Sequence, residues 1–175
     1  MPNKLSRPLR DRFGAILKLE EYSISDISTI VMKNASKFQL DLPSNLLNSM
    51  ALSSRLTPRV ANHILKRFID FVTVNKLIDF AQFDYNSFID LLGIDQNGLG
   101  RTDLQLLSTL YSNFRNTPVG LKNLSAIIND DPENIELLYE PFLLQQGLLM
   151  RTHRGRLLTP KGIEFVEKHL NLSNA

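Results

Sequence analysis

The sequence predicts a mainly α-helical protein in two parts, a four-helix bundle over about residues 23–92 and a winged-helix unit beyond residue 100. Three observations carry this. Apolar residues recur at helical spacing through the first half; residues 93–100 then hold Gly93, Gly98 and Gly100 in a short stretch; and beyond them three helical patterns precede two short strand-like runs. Three helices followed by a two-stranded hairpin is the order of a winged helix.

The first helix is expected at about 24–37. Ser23 with Asp26 three residues on has the pattern of a capping box, and Ile24, Ile27, Ile30, Val31, Ala35 and Phe38 mark one face. Asp41-Leu42-Pro43-Ser44 stops it and opens a short second helix bearing Leu46, Leu47 and Met50. Thr57 and Pro58 suit the cap and first turn of a third, with Val60, Ile64, Leu65, Phe68, Ile69 and Val72 as its stripe. Phe88, Ile89, Leu91 and Leu92 indicate a fourth that ends before Gly93. Ahead of the bundle, residues 13–21 read as a short apolar strand with no partner strand nearby.

Residues 93–100 read as a linker. Beyond it a helix at 103–114 places Leu104, Leu107, Leu110 and Tyr111 inward. Pro118-Val119-Gly120-Leu121 leads into Leu124, Ile127 and Ile128, and Pro132 opens a helix through Ile135, Leu138, Tyr139, Phe142 and Leu143. Leu148-Leu149-Met150-Arg151 and Arg156-Leu157-Leu158-Thr159 are the hairpin strands, joined by Thr152-His153-Arg154-Gly155. The expected division is therefore 1–22, 23–92, 93–100, 101–170 and a frayed tail at 171–175.

The net charge of +2 decides little, but its distribution is uneven. Asp130, Asp131, Glu133, Glu136 and Glu140 stand together without a cation, and Arg151, Arg154, Arg156 and Lys161 stand together without an acid. Such segregation can set a basic edge beside an acidic helix. The absence of cysteine removes disulfides, thiolate nucleophiles and thiolate metal ligands, and fits a reducing cytoplasm. The Met1 end has no secretory pattern and no apolar run reaches spanning length, so a cytoplasmic protein with no membrane partner is expected. Enzyme readings fail on inventory: no Ser-His-Asp order can be given roles, His63, His153 and His169 lack metal-ligand spacing, and the carboxylates read as scattered, solvated groups. Tyr22, Tyr85, Tyr111 and Tyr139 read as core or core-edge.

Several segments together resemble the RuvB family of AAA+ motors, which drive branch migration of Holliday junctions. They are Pro8-Leu9-Arg10-Asp11-Arg12-Phe13-Gly14, Thr57-Pro58-Arg59-Val60-Ala61-Asn62, Leu92-Gly93-Ile94-Asp95 with Gly98-Leu99, Pro118-Val119-Gly120-Leu121, Glu140-Pro141, Gln145-Gln146-Gly147 and Arg151-Thr152-His153-Arg154-Gly155-Arg156. The similarity runs from about Leu5 to about Phe165 and corresponds to the C-terminal half of the family. It implies that the bundle is an AAA+ lid, that the second unit is a winged-helix DNA-binding domain, and that residues 1–22 are a stranded remnant of the ATPase core.

By the same resemblance Arg12 matches the arginine finger, which reaches the nucleotide of a neighbouring subunit, and Arg59 matches the sensor-2 arginine. Arg151, His153, Arg154, Arg156 and Lys161 fall on the wing and its base and are the expected contacts to duplex DNA. The family's cofactor is ATP or ADP with Mg, its partners are further RuvB-like subunits in a hexameric ring and the junction-recognition protein RuvA, and its activity is that of a DNA helicase in recombination, repair and the SOS response. The phosphate loop and the hairpin that meets RuvA belong to the family's N-terminal half. A phosphate loop needs Gly-x4-Gly-Lys-Ser/Thr, and Leu99 and Gly100 follow Gly98 where Lys and Ser/Thr are required. The expectation is a truncated subunit that binds no ATP by itself and grips DNA through its wing; the alternatives are a stand-alone winged-helix DNA-binding or regulatory module without motor activity, and a nonfunctional fragment. Leu56 stands where the family usually has glycine, which is expected to alter the turn before Thr57, and His153 stands where it often has proline.

If Arg151, Arg154, Arg156 and Lys161 each neutralise a phosphate, log affinity should fall against log salt with a slope of about −3 to −4. The acidic residues 130–140 repel phosphate, so contact is expected from the wing and not from that helix.

Overall fold

A computed structural model describes residues 12, 17, 19–77, 79, 80, 83–115 and 117–173, with side chains as far as residue 169. Most of the strand expected at 13–21 lies outside the described residues; Leu17 and residues 19–22 are exposed and belong to no strand.

In the first unit α1 (Ile24–Ser36) opens as expected: the Asp26 amide donates to Ser23 Oγ at 3.2 Å and the Ser23 amide to Asp26 Oδ2 at 2.9 Å. Two orphan donors of the first turn are thereby satisfied. Ile27, Val31 and Ala35 face inward against α2 (Ser44–Ser53), which buries Leu46, Leu47, Met50 and Ala51. Next, α3 (Pro58–Asn75) buries Ala61, Ile64, Leu65, Phe68 and Val72, and α4 (Tyr85–Leu91) is capped by Asp84, whose Oδ1 accepts the amides of Asn86 and Ser87. Phe68 has no exposed surface, and its ring meets Phe83 and Phe88 edge-on with centroids 5.1 and 5.6 Å apart. Edge-to-face pairs add to the stabilisation from area alone.

The segment read as a linker is an ordered joint. The Asp95 carboxylate accepts the amides of Asn97 and Leu99 at 2.8 and 2.7 Å, Ile94 bridges Gly100, and Leu99 enters the core of the second unit. Gly98 has φ +80°, and a Cβ there would stand 2.6 Å from the Ser53 carbonyl oxygen. Glycine is required because the two units close up against each other at that point.

The second unit begins with α5 (Arg101–Thr109), which widens into a π-helical turn at Leu110–Phe114. Then come α6 (Leu121–Ile128), α7 (Pro132–Asn134), a π-helical stretch Ile135–Tyr139 and α8 (Glu140–Gln145). The last three continue one another. Pro141 has no N–H and its ring crowds the carbonyl four residues back; a wider turn just ahead of it relieves both problems. The extra residue rotates what precedes it by about 100°. Leu138, expected inward, is therefore 59% exposed.

Strands β1 (Leu149–Thr152) and β2 (Gly155–Leu158) pair antiparallel, with Leu149 opposite Leu158 and Arg151 opposite Arg156. Val119 adds a third edge, exchanging both backbone hydrogen bonds with Arg156 at 2.8 Å. A final helix, α9 (Pro160–Ser173), packs Val166 into the core. The sequence reading places no helix here, and α9 runs into the residues expected to fray. Thr159 caps it, its Oγ1 accepting the Gly162 amide at 2.9 Å. Tyr22, expected at the core, is 49% exposed. Among the described residues no helix is long and apolar enough to cross a membrane.

Candidate nucleic-acid interface

The wing places two arginines directly opposite each other, Arg151 on β1 and Arg156 on β2. Like charges so placed repel. The repulsion is absorbed by Glu140, whose side chain has no exposed surface. Arg151 donates from Nε to Oε1 at 2.8 Å and from its terminal nitrogen to Oε2 at 2.9 Å, a bidentate fork, while Arg156 donates to Oε2 at 2.9 Å. Glu136, one turn earlier, accepts from Arg151 at 2.9 Å and lies 3.8 Å from Arg156. Two cations and two carboxylates make a cluster of no net charge.

Burial disfavours the ionised form of Glu140, but the hydrogen bonds from Arg151 and then Arg156 more than offset it and hold its carboxyl below the ordinary glutamate value. The same bonds raise the pKa of Arg151 further. The sequence reading of scattered, solvated carboxylates is thus corrected at Glu140, and at Asp103, which is 1% exposed. The segregation of acidic and basic residues was the signal of the pairing.

The remaining nominated residues lie at the tip and base of the wing. His153 and Arg154 form the turn and are exposed; the Arg154 amide donates to Thr152 Oγ1 at 3.2 Å, and its guanidinium makes no ion pair among the described residues. Gly155 closes the turn at φ +141°, where a Cβ would stand 2.2 Å from the Val119 carbonyl oxygen. Lys161, exposed on α9, donates from Nζ to the Gln146 carbonyl at 2.8 Å. The wing therefore presents its cations at the end of a hairpin whose stem is electrically neutral.

Arg12 is exposed in a turn, and Arg59 is exposed in the first turn of α3, in the lid unit. The chain ahead of Arg59 makes a left-handed turn: Leu56 has φ +51° and Arg55 φ +53°. Thr57 makes no side-chain cap and instead donates to the Arg55 carbonyl at 3.2 Å. No group of three or more His, Asp or Glu side chains able to hold a metal occurs among the described residues.

Two family models match the chain: the RuvB AAA lid domain over residues 22–95 and the RuvB C-terminal winged helix domain over residues 96–167. The Holliday junction branch migration complex subunit RuvB of Levilactobacillus brevis is 40% identical over 173 residues, covering 97% of this chain and 51% of that protein. The structure of a point mutant of Thermotoga maritima RuvB matches with a TM-score of 0.83 at 35% identity, covering 95% of this chain and 56% of that one. The Thermotoga maritima RuvB Holliday junction branch migration motor matches with a TM-score of 0.81 at 36% identity, covering 93% and 55%. The chain spans about half the length of the relatives it matches.

Proposed function

The chain belongs to the RuvB family, and we propose that its two domains act as the lid and the DNA-gripping arm of a branch-migration motor subunit. The wing engages the phosphate backbone of duplex DNA through Arg154 and His153 at its tip, with Lys161 at its base. The observation that supports this most is the neutral stem: Glu140 and Glu136 absorb Arg151 and Arg156 and leave Arg154 projecting. Contact by so few cations to phosphates reads no bases, which suits a protein that must slide. The acidic α7 and α8 stay off the DNA and serve as the wing's support.

No phosphate loop occurs in the 175 residues, so they compose no nucleotide cradle of their own. The fit to ATP and Mg is limited to Arg59 on the lid and Arg12 ahead of it, both exposed and able to reach a nucleotide that other residues hold. Sensor 2 for Arg59 and the trans arginine finger for Arg12 are the roles proposed, in a ring of RuvB-like subunits in the cytoplasm. RuvA is a partner of that ring through residues outside this chain.

Fluorescence anisotropy with labelled duplexes of unrelated sequence tests the DNA reading. Binding that is sequence-independent and weakened equally on every duplex by Arg154→Ala is expected. Binding unaffected by Arg154→Ala would overturn it.

A further inference from the structure

Arg55 lies between α2 and α3, in the lid, but spends its side chain on the other domain. Its Nε donates to the Gly98 carbonyl at 2.7 Å, its terminal nitrogen pairs with Asp103 Oδ2, and its guanidinium carbon sits 4.3 Å above the centre of the Phe142 ring. Gly98 belongs to the joint, Asp103 to α5 and Phe142 to α8, so one planar group meets three separate parts of the winged-helix domain and its root.

The backbone is bent to allow this. Arg55 and Leu56 are consecutive non-glycine residues in the left-handed region, which is strained for both, and such a turn persists only where its surroundings over-determine it. The Ser53 carbonyl behind it abuts Gly98, and Asp103 in front is 1% exposed with its Oδ1 unpartnered. Its second oxygen also accepts the Gly100 amide at 2.8 Å. A carboxylate so buried requires a counter-charge, and Arg55 supplies it across the domain boundary. Lysine could supply the charge but neither the fork that reaches the Gly98 carbonyl and Asp103 from two separate nitrogens nor the flat face that stacks on Phe142.

Thr57 follows this turn directly, and Pro58 and Arg59 open α3. We infer that Arg55 is a positioning residue that clamps the winged-helix domain to the start of α3, so that the two domains move as one lever. Resting on the functional reading above, any displacement of Arg59 by a nucleotide would then be delivered to the wing and its DNA without loss in a flexible linker.

The lack of native cysteine makes the test direct. Spin labels at Lys66→Cys on α3 and Lys122→Cys on α6, both exposed, report the interdomain distance by pulsed electron resonance. The otherwise native chain should give one narrow distribution, and Arg55→Lys and Arg55→Ala should each broaden it by about twofold or more, because small interfaces leave domains mobile by default. DNA affinity at the wing should stay native in both variants, since Arg154 and its support are untouched. A distribution as narrow in both variants as in the parent would overturn the clamp, and so would a broad distribution in the parent. If Arg55→Ala does not fold, Arg55→Lys, which keeps the charge beside Asp103, decides alone. Failure of the parent chain to bind DNA would overturn the functional reading and leave the distance measurement standing.

Discussion

Arg156 donates at 2.9 Å to Glu140, a carboxylate with no exposed surface, and is itself only 11% exposed. This bond ties the wing to the helix behind it. Arg151 joins from the opposite strand, so the acid is shared between both edges of the hairpin. A buried charge is tolerated only when its partners are placed around it, and here the strand register places them.

Glu140→Ala should therefore destabilise the winged-helix domain by about 3 kcal/mol or more, because it leaves two facing arginines without their acid in a half-buried site. Glu140→Gln, which keeps the shape and one acceptor, should cost less. Urea denaturation measures both. A loss below about 1 kcal/mol for Glu140→Ala would place this pair with ordinary surface ion pairs.

The pH dependence follows from the same group. Glu140 has a folded-state pKa below its ordinary value of 4.5 despite burial, so the unfolded chain binds more protons as the solution is acidified. Its contribution is present in full above that ordinary value and is lost as pH falls through the folded-state value. Asp103 runs the other way: burial pushes its carboxyl up, against the pull of the Gly100 amide and Arg55, so it favours the folded state less as pH rises past 3.8. Stability measured from about pH 3 to pH 6 should thus show a weaker loss on acidification in Glu140→Gln than in the native chain. Parallel curves would remove Glu140 as the source.

Helix starts were legible in the sequence because they are local. Ser23 with Asp26, Pro58 and Pro132 each act within a turn, and α1, α3 and α7 begin where those residues put them. Thr159 before Pro160 is the same kind of signal for α9, masked in the sequence by the strand pattern of Arg156-Leu157-Leu158-Thr159. Two features had no local signal. Leu138 turns outward because Pro141, three residues later, forces a wider turn, and a strict 3.6-residue period cannot anticipate that slip. The burial of Glu140 depends on two arginines more than ten residues away, and the residue itself looks like any other acid in an acidic run. Arg55 is the extreme case: only its left-handed backbone aims it at Asp103.

Gly155→Ala should unfasten the wing from its third edge. At φ +141° with the Val119 carbonyl oxygen 2.2 Å from a would-be Cβ, the chain has to move, and the paired bonds between Val119 and Arg156 are what it would break. A loss of about 2 kcal/mol or more is expected, from strain and from the loss of two backbone hydrogen bonds. Hydrogen exchange at the Val119 and Arg156 amides is the direct measurement. Unchanged protection there would show that the hairpin absorbs the methyl group elsewhere.

The salt dependence of DNA binding separates the sequence reading from the structural one. Four independent cations would give a slope of about −3 to −4, but Arg151 and Arg156 are already neutralised by Glu140 and Glu136, and a charge balanced by its own protein releases few counterions from DNA. Arg154 and Lys161 remain, so a slope of about −2 is expected near neutral pH, with Arg154→Ala lowering its magnitude by about 1. Arg151→Ala should change the slope little while destabilising the wing, because it removes a support of the hairpin and not a phosphate contact. A native slope near −4 that falls by about 1 with Arg151→Ala would mean that DNA draws the arginines away from Glu140, making the acid a competitor for them and not their anchor.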